Sequence, residues 1–229
     1  MVLADYHADH SVHSRSDLQK ACPVTRKLAL FDFDSTLTRH DSLIPFLRAV
    51  RGYWGLGWGM TKSLPWLAGY ALKCIPNDTA KQRLLRYTLG GLPLDRLRAA
   101  GCAFAHDNIP TMLRADMMAR LRAHQAQGED CILLSASLDL YLVPWARATG
   151  FHDVLCSSLA VDQKQRVTGQ LQGNNCYGIE KVHRIKEYIS SLGHKYDYIT
   201  AYGDSSGDMP LLRFANEGYL VKNEIKSIK

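Results

Sequence analysis

Paired cysteines are the first thing this chain lacks. Its six, at 22, 74, 102, 131, 156 and 176, show no short paired spacing. That argues against a disulfide framework or a zinc cluster, and the six read as reduced thiols. Long apolar runs are missing too. Residues 1–27 hold no apolar core of a secretory signal, so a cytoplasmic location is expected. The segment from Tyr53 to Ile75 has the length of a membrane span but not its composition. Lys62 sits near its middle, Pro65 interrupts it, and Gly55, Gly57, Gly59 and Gly69 weaken it as a helix. There is no internal repeat and no nucleic-acid motif, so nucleic acid is not an expected partner. Acidic residues are scarce in one place. Between Ser42 and Thr88 only Asp78 opposes Arg48, Arg51, Lys62, Lys73, Lys81, Arg83 and Arg86. That local excess of six equals the net charge of +6 of the whole chain.

What is present describes a folded enzyme-sized protein. A chain of 229 residues with 46% hydrophobic and 22% charged residues can bury one full core and a small insert. Residues 1–23 read as a disordered polar tail, with His7, His10 and His13 at spacings of three. Then comes Leu28-Ala29-Leu30-Phe31, a short run that predicts a strand buried on both faces. Asp32-Phe33-Asp34-Ser35-Thr36 follows at its C-terminal end. In an open parallel sheet ligands bind in the crevice beyond the strand ends. Two carboxylates there can divide a reaction, one attacking an electrophile and the other moving a proton. Alternatively they form a polar turn in which Ser35 and Thr36 cap a helix.

Three further patterns follow in order. Cys131-Ile132-Leu133-Leu134 predicts a strand, with Ser135 and Ala136 at its end and Ser137 placed to cap a helix over 138–149. Pro144 is expected to kink or shorten that helix. Lys181 opens an amphipathic segment in which Val182, Ile185, Ile189 and Leu192 recur at helical spacing, closed by Gly193. Tyr196 to Tyr202 predicts another strand, followed by Gly203-Asp204-Ser205-Ser206-Gly207-Asp208. Asp208, just before Met209-Pro210, also suits an N-cap.

These four motifs, in this order, resemble those of the haloacid dehalogenase superfamily, in its phosphoserine phosphatase-like branch. The likeness runs from about residue 28 to 221. It implies a doubly wound α/β core with a parallel, Rossmann-like sheet and a helical cap inserted after the first strand. By the resemblance, residues 24–40 and 121–229 form the core domain and 41–120 the cap domain. It implies a Mg²⁺-dependent phosphomonoester hydrolase working through an aspartyl-phosphate. Asp32 would be the nucleophile and Asp34 the general acid and base. Phe33, Ser135, Ala136 and Lys181 would bind phosphate. Asp32, Asp204, Asp208 and the backbone carbonyl of Asp34 would hold Mg²⁺. One departure stands out: Gly207 occupies the place where phosphoserine phosphatase carries Asn. In that branch a Glu after the first motif and an Arg of the cap hold the amino acid. The nearest counterparts are Asp41 and either Arg83 or Arg86.

Within 41–120 four helices are expected. Leu43, Phe46, Leu47 and Val50 mark the first, ending near Gly52. Asn77 or Asp78 caps a second that stops at Gly90-Gly91. Pro93 opens a third, and a fourth runs from Pro110 to Gln127. Leu155 to Gln172 reads as an antiparallel hairpin flanking the sheet. The basic segment also carries Trp54, Trp58 and Trp66. Such a mixture forms either a cap core with a basic rim or an interface with an anionic membrane, which would make the protein membrane-peripheral. The expected substrate is a small phosphorylated metabolite, with a phospholipid headgroup such as phosphatidylglycerophosphate as the alternative. A phosphate sensor without turnover is the reading from another class.

Overall fold

The computed structural model describes residues 26–222 and 224–228. The expected tail, its three histidines and Cys22 lie outside the described residues. Strand β1 (Lys27–Phe31) has Leu28, Ala29, Leu30 and Phe31 buried on both faces. β2 (Asp130–Leu138) and β6 (Tyr198–Gly203) flank it, both parallel, with Leu30 opposite Ile132 and Ala201. With β3 (Asp153–Ser157), β7 (Glu217–Val221) and β8 (Ile225–Ser227) the sheet order is β3-β2-β1-β6-β7-β8, and only β8 is antiparallel. The chain fills one side of β1 first and then crosses to the other. That reversal opens a crevice beyond the ends of β1 and β6.

Between β1 and β2 lie α1 (Leu43–Ala71), α2 (Asn77–Leu89), α3 (Leu94–Asp107) and α4 (Ile109–Met112). Here several details differ from the sequence reading. Gly52, at φ 67 and ψ 179, breaks α1 as expected, but a second helical stretch continues at once and runs through Pro65. The carbonyl that Pro65 deprives of a donor belongs to Thr61, and both residues are exposed, so water can replace the lost bond. Helix α2 is preceded by Pro76 in extended conformation, and neither Asn77 nor Asp78 caps it. Both turn instead toward Asn175, whose Nδ2 donates to Asp78 Oδ1 at 2.9 Å and to Asn77 Oδ1 at 3.4 Å. The single helix expected over 110–127 is two, α4 and α5 (Ala115–Ala126). The break arises because this stretch pairs with the loop after β1. Arg39 N donates to Met112 O, and Arg114 N to Leu37 O, both at 2.8 Å. The boundary expected at residue 120 therefore falls inside α5, which packs on β2.

The hairpin is shorter than expected and sits elsewhere. Leu155 belongs to β3, and the antiparallel pair is β4 (Leu159–Val161) with β5 (Val167–Leu171). It packs on α2 rather than along the sheet. Gly169, at φ 82, allows this, because a Cβ there would lie 2.2 Å from Arg86 Cα. Helix α6 (Asp139–Thr149) reaches the end of the expected segment, and Pro144 inside it does not shorten it. The Leu140 carbonyl, which loses its donor to Pro144, faces Gly101 of α3, where any Cβ would come within 2.1 Å of it.

Alternation along β1 divides the core into two layers. Leu28 and Leu30 pack with Ile185 of α7 (Ile179–Ser191) and Leu211 and Leu212 of α8 (Met209–Phe214). Ala29 and Phe31 face Met117 and Leu121 of α5 and Trp145 of α6. Truncating the fully buried Phe31 to Ala should cost about 3–5 kcal/mol. The same packing fixes the position of the residue that follows it, Asp32.

Candidate active site

Asp32 leaves β1 still in register, its N donating to Tyr202 O at 2.9 Å. Its carboxylate is buried and accepts from Thr36 Oγ1 at 3.0 Å and from Lys181 Nζ at 2.6 Å. Thr36 thus serves the carboxylate rather than capping a helix. The turn between them is tight. Ser35 lies in the left-handed region at φ 58, which costs roughly 1–2 kcal/mol in a non-glycine. Thr38 Oγ1 holds the turn by accepting Ser35 N at 3.0 Å.

Lys181, from the first turn of α7, is itself buried and also donates to Asp208 Oδ1 at 2.6 Å. Asp208 does not cap α8 through its side chain. Its Oδ2 accepts instead from Ser205 N at 3.1 Å, Ser205 Oγ at 2.8 Å and Asp204 N at 3.3 Å. Gly203 makes room for this, since a Cβ there would lie 2.4 Å from Asp208 Cβ. Oxygens of Asp32, Asp204 and Asp208 come within 4.8 Å of one another. Burial pushes Asp32 up to about 8 and Asp204 to about 6, and in both cases the Asp208 charge adds to the rise. Burial alone would pull the Lys181 ammonium down, but the Asp32 and Asp208 carboxylates outweigh it and hold its pKa above the ordinary value. Burial alone would also raise Asp208, but Lys181 overrides that and holds it low. The donor set is all oxygen, and its three carboxylates face one ammonium. These residues fit a hard divalent cation such as Mg²⁺.

Asp34 points elsewhere. Its Oδ1 accepts from Ser42 N at 2.7 Å and its Oδ2 from the Ser137 hydroxyl. Ser42 Oγ lies 3.3 Å from Ser137 Oγ and 3.0 Å from Tyr141 Oη, closing a buried hydroxyl cluster. Ser137, expected as a cap, is therefore bonded to the second carboxylate, and the residue preceding α6 is Leu138. Burial, with the Asp41 charge in support, raises Asp34 to about 6. Ser135 is buried beside it and its Oγ accepts Ser137 N at 3.0 Å.

These groups floor a cavity of about 500 Å³ whose lining includes Asp32, Asp34, Ser135, Ala136, Lys181, Asp204 and Asp208. Phe33 turns away and packs its ring on Trp145 at 5.0 Å. Asp41 lines the cavity, and its Oδ1 accepts from Leu43 N at 2.8 Å. Arg83 and Arg86 are not brought to the cavity. Arg83 lies over the Trp66 ring at 5.1 Å, and Arg86 is exposed on α2. The α2 cation that does line it is Lys81, which donates to Ala136 O and, at 2.8 Å, to Asn175 Oδ1. Burial pulls Lys81 down to about 8. Asn175 also accepts from Ser157 Oγ at 2.9 Å, so one buried amide joins α2 to the sheet. The other walls include the apolar Leu43, Ile44, Leu67 and Leu84, together with Tyr70, Asn77 and Tyr177. Gly207 has its own explanation. The Tyr177 ring occupies the space beside it, and a Cβ at 207 would lie 2.3 Å from that ring.

Sequence reading missed Ser42, Tyr141, Lys81, Asn175 and Tyr177. For Lys81 a signal existed: it sits one helical turn after Asn77 and faces the same way. For Ser42 and Tyr141 there was none, since they are 99 residues apart.

Comparison with known proteins agrees with this geometry. The family described as haloacid dehalogenase-like hydrolase matches residues 29–213. Protein CicA of Caulobacter vibrioides is 34% identical over 196 residues, covering 85% of this chain and 86% of CicA. A probable phosphatase of Mycobacterium tuberculosis is 25% identical over 206 residues, covering 87% of this chain and 70% of that protein. A substrate-bound phosphoserine phosphatase structure superposes with a TM-score of 0.59 at 16% identity, covering 83% of each chain, a likeness of fold alone.

Proposed function

The chain belongs to the haloacid dehalogenase-like hydrolases, and from that premise we propose that it is a Mg²⁺-dependent phosphomonoester hydrolase acting through an aspartyl-phosphate. The observation that carries this reading is the division of labour between two neighbouring carboxylates. Asp32 lies with Lys181, Asp204 and Asp208, while Asp34 is held apart by Ser42 and Ser137.

In the first step an Asp32 oxygen forms a bond to phosphorus and the ester P–O bond breaks. The departing oxygen takes its proton from Asp34. In the second step water attacks the phosphorus, gives its proton to Asp34, and Asp32 leaves with the phosphate released. A pKa near 6 suits Asp34 to both transfers. Ser42 N and the Ser137 hydroxyl orient it, and Lys181 offsets the anionic charge gathering at Asp32. Ser135 and the backbone around Phe33 and Ala136 are the groups assigned to the phosphoryl oxygens. Asp32, Asp204 and Asp208, with the Asp34 carbonyl, are the groups assigned to Mg²⁺. When bound, the cation supplies positive charge to a phosphoryl group that would otherwise meet three carboxylates.

Residues 41–120 are the cap in this reading and choose the substrate. The expected substrate is a small phosphorylated metabolite. Leu43, Ile44, Leu67 and Leu84 around the cavity favour a second reading, an ester whose alcohol is apolar, including a phospholipid headgroup. A contact with an anionic membrane rests on a separate observation, the exposure of Trp54 and Trp58.

Phosphate release from p-nitrophenyl phosphate, O-phosphoserine, glycerol phosphate and a long-chain alkyl phosphate tests both. Release with Mg²⁺ and none in EDTA is expected. Full turnover in EDTA refutes the metal assignment, and phosphate binding without any turnover leaves a sensor. Preference for the alkyl ester selects the second reading.

A further inference from the structure

The outward face of α1 is unused by this chemistry. Trp54 is 94% exposed and Trp58 63%, with Leu64 at 61% and Leu72 at 75%. Trp54, Trp58, Thr61, Pro65, Ala68 and Leu72 follow helical spacing along one exposed stripe, and Thr61 is its single polar member. A helix on a soluble surface turns its polar side to water. This one turns its tryptophans out.

The charge beside the stripe is one-sided. From Leu43 to Asn77 there is no Asp or Glu, while Arg48, Arg51, Lys62 and Lys73 are all present. Two of these cations sit on the aromatic rings, Lys62 at 4.9 Å from the Trp58 centroid and Arg48 at 5.4 Å from that of Tyr53. We infer that the second half of α1 docks the protein in the plane of an anionic lipid bilayer.

The argument for this occupant is complementarity. Tryptophan settles at headgroup depth, and Lys and Arg are drawn to anionic lipid within a Debye length of the surface. A second copy of the chain would bring the same uncompensated positive charge against this face. No helix among the described residues is long and apolar enough to cross a membrane, so α1 would lie on it rather than span it. Leu67 and Tyr70, on the other side of the same helical stretch, line the cavity. Docking would therefore hold the cavity one helix diameter, roughly 10 Å, from the bilayer surface.

The test is co-sedimentation of the full chain with phosphatidylcholine vesicles, with and without phosphatidylglycerol. Binding is expected only with phosphatidylglycerol, with a blue shift of tryptophan emission and release by added salt. Trp54→Ser with Trp58→Ser should weaken partitioning by roughly tenfold or more and leave melting in buffer and turnover of p-nitrophenyl phosphate unchanged. Arg51→Gln with Lys62→Gln should weaken it by about thirtyfold. The inference fails if phosphatidylglycerol vesicles do not bind the wild type, or if the double tryptophan variant binds as well. It also fails if that variant melts well below the wild type, because the rings would then be packed. A dimer that the variant dissolves would assign the face to a second copy. Vesicle partitioning, tryptophan emission and melting do not depend on the proposed reaction, so either reading can fail alone.

Discussion

The floor of the cavity and the helix above it are built on different rules. Asp32, Asp208 and Lys181 are each less than a tenth exposed, and Lys181 donates to both carboxylates at 2.6 Å. Helix α1 lends Leu67 to the same cavity yet leaves Trp54 and Trp58 in solvent. Buried charges are tolerated only where partners meet them in good geometry, so the floor allows few alternatives. An apolar wall needs only shape and volume, and many sequences supply that. The floor therefore speaks for the reaction, and the walls speak for the substrate.

The largest effect should come from breaking the floor at Asp32. Asp32→Asn keeps the size of the group and removes the nucleophile, and turnover should fall by about 10⁴-fold or more. Steady-state phosphate release measures it, and a variant keeping a tenth of wild-type activity would exclude the covalent route. Asp34→Asn should be milder, about 10²–10⁴-fold with an alkyl ester, and less with p-nitrophenyl phosphate, whose leaving group needs little protonation. Equal losses on the two esters would remove Asp34 from the acid role.

A third prediction concerns stability without metal. Asp32 rises from 3.8 to about 8, and Asp34 and Asp204 from 3.8 to about 6. The folded state then holds protons that the unfolded chain has released. This contribution is complete below the unfolded value of 3.8 and is lost as pH rises through about 6 and then about 8. Asp208, held low by Lys181, acts in the opposite sense, at pH values below the ordinary carboxylate range. In EDTA the melting temperature should therefore fall between about pH 4 and about pH 8, and Mg²⁺ should flatten the slope by favouring the charged carboxylates. Identical profiles with and without Mg²⁺ would count against a cation at these three residues.

The smallest effect sharpens the other side of the comparison. Leu67→Ala enlarges a wall and leaves the floor untouched. It should raise KM for a long-chain alkyl phosphate by roughly tenfold while kcat for p-nitrophenyl phosphate stays unchanged. A matching loss with both esters would show that α1 supports the floor and does not select the substrate.

Asp32, Asp34 and Asp204 could be placed from the chain alone because each follows a strand whose apolar pattern is local, whereas Lys181 and Asp208 were assigned their roles by the family resemblance of their motifs. Leu28 to Phe31 announces a buried strand, and whatever follows a central parallel strand must lie at the crevice. The helix break at Gly52 and the stop at Gly90 were legible for the same reason, since backbone chemistry acts at the residue itself. Other features depended on partners far along the chain. Ser137 looked like a helix cap until Asp34, 103 residues earlier, took its hydroxyl. Arg83 and Arg86 looked like the cap cations until α2 turned Lys81 inward to Ala136 and Asn175. Helix 110–127 divided because Arg39 and Leu37 pair with Met112 and Arg114 near its start. The exposure of Trp54 and Trp58 was likewise undecidable from composition, because the same rings in the same helix could face inward or outward. Local sequence determined the strands, their ends and the carboxylates placed there. Only the tertiary packing decided which hydroxyl, which lysine and which side of α1 those carboxylates would meet, because side-chain pairing across 90 or more residues is set by how the layers dock.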